Sequence, residues 1–144
     1  MKCRGPSQLT LDGKGRFSMP SKYRDVLTEH SPKGLVITKH PHGCLMVFPE
    51  CNWDAFEAKI DALPFSATDS KRLFTGSADP VELDSAWRIT VSPELRDFAG
   101  LSKDLRMYGL GSHFELWDAT RYSLREAAAM ASAATQHVLQ DLVI

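Results

Sequence analysis

A chain of 144 residues is long enough for one domain of ordinary size, or for two small units that must share a core to be stable. With 43% hydrophobic and 24% charged residues, the composition excludes an intrinsically disordered or fibrous protein. The net charge of -1 argues against a uniformly basic nucleic-acid binder, but it conceals an asymmetry. Residues 1–24 carry Lys2, Arg4, Lys14, Arg16, Lys22 and Arg24 against the single acid Asp12, a local balance of +5; the remaining 11 basic and 17 acidic residues sum to -6. In a symmetric oligomer such basic heads could gather on one face.

In chain order, the start MKCRGPSQLT has no apolar segment and no small-residue cleavage site, so no secretory signal is expected. No apolar stretch approaches the roughly 18–20 residues that span a bilayer, and a cytoplasmic protein without a membrane partner is expected. Residues 8–11 and 16–19 read as short alternating strands around Asp-Gly-Lys-Gly, a hairpin signal because glycine accepts positive φ. Pro20 and Ser21 open a helix ending near His30. Residues 35–39 and 44–48 are strands around a His40-Pro41-His42-Gly43 turn. Asn52 is the expected cap of a helix in which Trp53, Phe56, Ile60 and Leu63 share one face. Residues 64–79 connect two halves, with a short helix starting at Thr68 or Asp69. Strands at 81–83 and 88–91, a helix from Ser92-Pro93 to Gly100, strands at 105–110 and 114–117, and one long Ala-rich helix from Ala119 to about Val143 complete the order.

The halves are copies. Residues 11–25, LDGKGRFSMPSKYRD, lie against residues 83–97, LDSAWRITVSPELRD, so that Leu11/Leu83, Asp12/Asp84, Arg16/Arg88, Arg24/Arg96 and Asp25/Asp97 are identical. Residues 44–53 lie against 113–122, placing Phe48 opposite Trp117 and Trp53 opposite Tyr122. The expected division is a first repeat over 1–63, a connection over 64–79 and a second repeat with a C-terminal helix over 80–144. Each copy is too small to bury its apolar face alone, so the two should pack around a pseudo-two-fold axis.

Cys3-Arg4-Gly5, Leu-Asp-Gly-Lys-Gly-Arg at 11–16, Pro20-Ser21-Lys22-Tyr23-Arg24 and Phe114-Glu115-Leu116-Trp117-Asp118 together resemble the MraZ family over roughly residues 1–125. The resemblance implies an α+β, β-rich fold of two tandem swapped-hairpin units, like those of AbrB and MazE antitoxins, packed as an intrachain pseudo-dimer. It implies a sequence-specific transcriptional regulator, nucleoid-associated, forming ring-like homo-oligomers on short direct repeats of double-stranded DNA in the promoter of the division and cell-wall gene cluster. Two positions depart from the pattern. Cys3 stands where an aromatic is usual, and Asp84-Ser85-Ala86-Trp87-Arg88 lacks both loop glycines. The backbone shape of the second loop is thereby left open, and Trp87 points to packing instead of phosphate contact.

The residues themselves nominate a site. Lys14 and Arg16 flank Gly15, and with Gly13 they form a tip whose backbone can approach a phosphate while Arg16 reaches a guanine edge. Arg4, beside Gly5, is a second candidate for backbone contact, and Lys2 and Lys22 extend the basic set; a solvated basic face is the competing reading. Asp12 is read either as part of this site or as an Asx-type turn paired with Arg16, whereas Asp84 and Arg88 are read as structural. Arg24, repeated by Arg96 without basic neighbours, is read as structural as well.

Cys3, Cys44 and Cys51 give neither a disulfide framework nor a C-x-x-C knuckle. His40, His42 and Cys44 invite a zinc reading, but a proline turn does not readily aim all three inward, and no metal or other cofactor is expected. No G-x-S-x-G, H-E-x-x-H or phosphate-binding glycine loop occurs in the sequence, so an enzyme is not expected. The competing function is an oligomeric structural or protein-interaction module without specific DNA binding.

Overall fold

The computed structural model describes residues 1–142. The elements are β1 (Cys3–Thr10), β2 (Arg16–Ser18), α1 (Ser21–His30), β3 (Leu35–Lys39), β4 (Leu45–Pro49), α2 (Glu50–Asp61), α3 (Thr68–Phe74), β5 (Asp79–Val81), β6 (Arg88–Thr90), α4 (Pro93–Ala99), β7 (Asp104–Gly111), β8 (Phe114–Asp118), α5 (Ala119–Ala131) and α6 (Ala133–Asp141). Short 3-10 turns at Phe65–Ala67 and Thr75–Ser77 flank α3.

Six strands form one antiparallel sheet in the order β1-β7-β8-β4-β3-β5, and β2 and β6 form a separate two-stranded ribbon. The first strand of each copy pairs with the other copy's hairpin: β1 with β7, and β5 with β3. This is the swapped arrangement that the resemblance implies. The pseudo-two-fold passes between Met46 and Glu115, which correspond in the repeat and face each other across β4 and β8. It also passes through Phe17 and Ile89, which pair at the centre of the ribbon.

Exchange corrects the expected local hairpin. The strands on either side of Asp-Gly-Lys-Gly do not pair with each other; β1 joins the large sheet and β2 joins β6. Among the described residues, the backbone bond joining the two sides of this loop is Asp12 N–H to the Arg16 carbonyl, 2.8 Å, with Gly15 N–H to the Asp12 carbonyl closing the turn inside it. The Asp-Gly signal is local, whereas the ladder partner is chosen by burial of Phe17 and Ile89, which are 1% and 0% exposed.

Alternation gives the sheet two buried faces. On one, Leu35, Ile37, Leu45, Val47, Leu105, Met107, Phe114 and Leu116 pack with Phe17, Ile89 and the inner sides of α1 and α4. On the other, Val36, Met46 and Phe48 pack with Trp53 and Phe56 of α2 and Phe74 of α3. Trp53 and Ile60 are buried and Phe56 is half-buried on α2, whereas Leu63, expected on the same face, lies beyond the end of the helix at Asp61. Phe114, Leu116 and Trp117 fill the core, and the Asp118 carboxylate accepts from the Arg121 backbone N–H at 3.1 Å to cap α5. That is the physical content of the Phe-Glu-Leu-Trp-Asp segment.

Other boundaries follow from capping. Ser92 accepts from Leu95 N–H, and Gly100 ends α4 in the left-handed region at φ 60°. Asn52 is not the cap of α2, which starts at Glu50 directly after Pro49. Its side chain instead holds the N-terminus, donating to the carbonyls of Met1 and Ser112 and accepting from the Met1 amino group. The expected single C-terminal helix is two. Ser132 takes an extended conformation, ψ 131°, and caps α6 through Thr135 N–H, so the Ala-rich run breaks at the residue suited to a new N-cap. Val143, the expected end, lies outside the described residues. No described helix is long and apolar enough to cross a membrane.

Candidate nucleic-acid interface

The ribbon buries Phe17 and Ile89 toward the sheet, so Arg16 and Ser18 on β2 and Arg88 and Thr90 on β6 face outward. In the register, Arg16 lies opposite Thr90 and Arg88 opposite Ser18. The two arginines are therefore diagonal neighbours, with Cα atoms on the order of 7–8 Å apart.

Each arginine is held by its own loop. One Asp12 carboxylate oxygen accepts the Lys14 and Arg16 backbone N–H groups, both at 2.9 Å, and the other accepts Arg16 Nε at 2.8 Å. The Arg16 backbone N–H, then its side chain and the Lys14 N–H, hold the Asp12 carboxyl below the usual carboxylate range against a smaller opposing cost of desolvation. With Nε engaged, the guanidinium plane is fixed, and among the described residues neither terminal nitrogen of Arg16 donates elsewhere. The outer N–H groups are left for a ligand with planar or paired acceptors.

The second loop is the same device. Asp84 accepts from Ala86 and Arg88 N–H groups at 2.9 and 2.8 Å and from Arg88 Nε at 2.8 Å. Its carboxyl is likewise held low, first by the Arg88 backbone N–H. The bonds from Gly15 N–H to Asp12 O and from Trp87 N–H to Asp84 O, 3.0 and 2.9 Å, make the backbones equivalent. Reciprocal bonds, Met19 N–H to Trp87 O at 2.8 Å and Val91 N–H to Gly15 O at 2.9 Å, lock each loop to the other copy. The shape left open by the missing glycines is thus settled: Trp87 itself takes the left-handed conformation at φ 61°, where Gly15 has φ 76°. Trp87 does pack, against Arg24, whose guanidinium lies 5.8 Å from the ring centroid.

Arg24 is structural, donating through Nε to the Met19 carbonyl at 3.1 Å. Arg96, its repeat partner, lies across Gly15 so closely that any Cβ there would come within 2.7 Å of the guanidinium carbon. Lys14 and Gly13 are exposed and Gly15 is buried. Lys22 is exposed, donates to the Pro6 carbonyl at 2.9 Å and lies over the Tyr23 ring. Arg4 is exposed on β1, with its carbonyl bound by the Tyr23 hydroxyl. It pairs with Leu110 while Thr10, next to the loop, pairs with Asp104. At about 3.3 Å per residue the extended strand holds Arg4 roughly 20 Å from the loop end, with Lys2 farther still. The structure therefore groups Lys14, Arg16 and Arg88 on the ribbon, and sets Lys2 and Arg4 apart.

The family described as "MraZ protein, putative antitoxin-like" matches twice, over residues 3–76 and 73–141. The chain belongs to the MraZ family. Proteins named Transcriptional regulator MraZ from Burkholderia mallei and Burkholderia thailandensis are 55% identical to it over 127 residues, covering 88% of this chain and 89% of theirs. The Transcriptional regulator MraZ of Paraburkholderia phytofirmans is 54% identical over the same length and coverage. The two family matches fall on the two copies whose first strands are exchanged, so the MraZ repeat and the structural repeat coincide.

Sequence reasoning passed over Arg88 as a ribbon residue because its loop lacks basic neighbours; the recurring Asp-to-Arg spacing was the signal available. It also set aside the His40–Cys44 turn. Glu115, from the other copy, completes a cluster there with His40 and Cys44, the donor atoms lying within 4.8 Å of one another.

Proposed function

We propose that this chain is a DNA-binding transcriptional regulator, not an enzyme, that lays the β2–β6 ribbon into the major groove. The observation that carries this reading is the pair of carboxylate-braced arginines, Arg16 and Arg88, standing diagonally on one exposed two-stranded face. B-DNA's major groove is about 12 Å wide and admits such a ribbon, and an arginine with a fixed plane suits the paired acceptors of guanine. Lys14 at the exposed tip, beside the open Gly13, contacts phosphate, whereas Gly15, covered by Arg96, shapes the loop and does not itself meet DNA. Asp12 and Asp84 position the arginines and do not touch DNA, since a carboxylate facing phosphate would repel it. Lys2, Arg4 and Lys22 are assigned to the flanking backbone, where the duplex extends beyond the ribbon.

The domains in this reading are the repeats at 1–63 and 80–144, joined by 64–79. The chain assembles as a ring-like homo-oligomer, so that successive ribbons meet short direct repeats in the promoter of the division and cell-wall gene cluster and weak single contacts add by avidity. Exposed Leu124, Met130 and Val138 on α5 and α6, with Leu142 just beyond, and Phe65, 90% exposed, supply apolar surface for subunit contact. The relatives' name, Transcriptional regulator MraZ, agrees with this function, and a nucleoid location follows from it. Footprinting on the DNA upstream of its own gene tests the proposal. Protected direct repeats at regular spacing are expected; protection that shows no preference over random duplex at physiological salt would replace this reading with that of a protein-interaction module.

A further inference from the structure

We propose that His40, Cys44 and Glu115 form a site for one divalent transition-metal ion of the zinc class, clamping the two copies of the repeat together on the sheet face opposite the ribbon. His40 and Cys44 bracket the turn between β3 and β4, tied by the bond from His40 N–H to the Cys44 carbonyl at 3.0 Å. Glu115 comes from β8, and the pairing of Leu45 with Leu116 and Met46 with Glu115 fixes where it meets them. Phe114 and Leu116 belong to the ribbon-side core, so Glu115 points to the other face.

Three observations favour a metal over a purely hydrogen-bonded cluster. The donor set is one imidazole nitrogen, one sulfur and one carboxylate oxygen, all within 4.8 Å of one another, and His40 Nε2 lies 3.5 Å from Glu115 Oε2. Bond lengths of about 2.0–2.3 Å in a tetrahedral site require donors roughly 3.3–3.8 Å apart, so small side-chain rotations close the set. The carboxylate is already oriented: Trp117 Nε1 donates to Glu115 Oε1 at 2.9 Å and leaves Oε2 for a ligand. Finally, Cys44 is fully buried while the His40 and Glu115 side chains are 18% and 16% exposed, which gives an ion a way in and leaves a fourth position for water.

The proton balance is definite. Burial pushes the Cys44 thiol well above its ordinary value, so the metal displaces a proton: the S–H bond breaks, a sulfur–metal bond forms and one proton goes to solvent. A thiolate and a carboxylate then neutralise the divalent charge. His42 N–H donates to His40 Nδ1 at 3.0 Å, so the neutral ring carries its proton on Nε2; coordination at Nε2 moves that proton to Nδ1 and releases the His42 amide.

The test is titration of the full-length, reduced, metal-free protein with Co²⁺. One ion per chain is expected, with a thiolate-to-cobalt charge-transfer band in the near ultraviolet, loss of the band on adding Zn²⁺, and a shift of the His42 amide resonance. Cys44→Ser and Glu115→Gln should abolish the band, and Cys51→Ser, which removes an exposed thiol, should keep it. Trp117→Phe should weaken Zn²⁺ binding by about 10- to 100-fold by freeing the carboxylate. Absence of the band in the unmutated protein at stoichiometric Co²⁺, or a band unchanged in folded Cys44→Ser, overturns the site and leaves a hydrogen-bonded cluster.

Discussion

Replacing Gly15 with alanine probes the backbone on which Arg16 depends. Gly15 has φ 76°, and a left-handed conformation costs an L-residue about 1–2 kcal/mol. The new Cβ would also lie 2.7 Å from Arg96 Cζ and 2.8 Å from its Nε and Nη1. That neighbour is the end of a flexible side chain, so its retreat adds about 1 kcal/mol or less in lost packing. The sum is roughly 1–3 kcal/mol, and for a chain of this length it lowers Tm by about 3–12 °C. Gly13→Ala is the matched control: nothing lies within 4 Å of its Cβ and its φ is not in the left-handed range, so it should stay within about 0.5 kcal/mol. Thermal melts of both variants, with sedimentation to confirm equal assembly, decide the matter. If Gly15→Ala melts together with Gly13→Ala, the loop is not held as described, and the fixed plane of Arg16 loses its support.

At the equivalent position of the second loop, Trp87→Gly removes the backbone strain while losing the stack against Arg24; a net change within about 1 kcal/mol is expected in a denaturant titration. The Asp12 and Asp84 carboxyls are held low by their loops, so their contribution to stability is complete above the unfolded value of about 3.9 and disappears as pH falls through the lower folded values. A ¹³C titration should place both midpoints below that value, and ordinary midpoints would show the Asp–Arg bonds to be absent in solution. Lys14→Ala should reduce the slope of log affinity against log salt by about one per contacted site without changing sequence preference; an unchanged slope would remove Lys14 from the phosphate contact. Gly109→Ala would drive a Cβ to 2.3 Å from the Arg4 backbone nitrogen and so part β1 from β7. A loss of more than about 3 kcal/mol, or failure to fold, is expected, and a normal melt would contradict the exchanged pairing.

The repeat, the two Asp-to-Arg loops and the Ser92–Gly100 boundaries of α4 were legible because each is written in nearby residues. Strand pairing was not, since β2 finds β6 and β1 finds β7 through buried contacts distant in sequence, and a local Asp-Gly signal carries no information on them. Trp87 packs as its bulk implied, but the shape of its loop was not legible for a related reason. The glycines suggest that the loop shape depends on them, whereas the Asp84 carboxylate and the bonds to Met19 and Asp84 over-determine the backbone and force a tryptophan into positive φ. Asn52 looked like a helix cap because its type suits one, yet the helix had already begun behind Pro49 and the side chain was free to hold the N-terminus. Glu115 completes the His40–Cys44 cluster only through the β4–β8 register, which no spacing in either segment announces.

The proposed ribbon is tested most directly by gel-shift titration, at one fixed salt concentration, of Arg16→Ala, Arg88→Ala and the double variant on DNA from upstream of the protein's own gene. Each lost arginine contact is worth about 1–3 kcal/mol, so each single variant should bind roughly 5- to 150-fold more weakly, and the double variant more weakly still, with sedimentation unchanged. Wild-type affinity in both single variants would show that DNA is gripped elsewhere on the molecule.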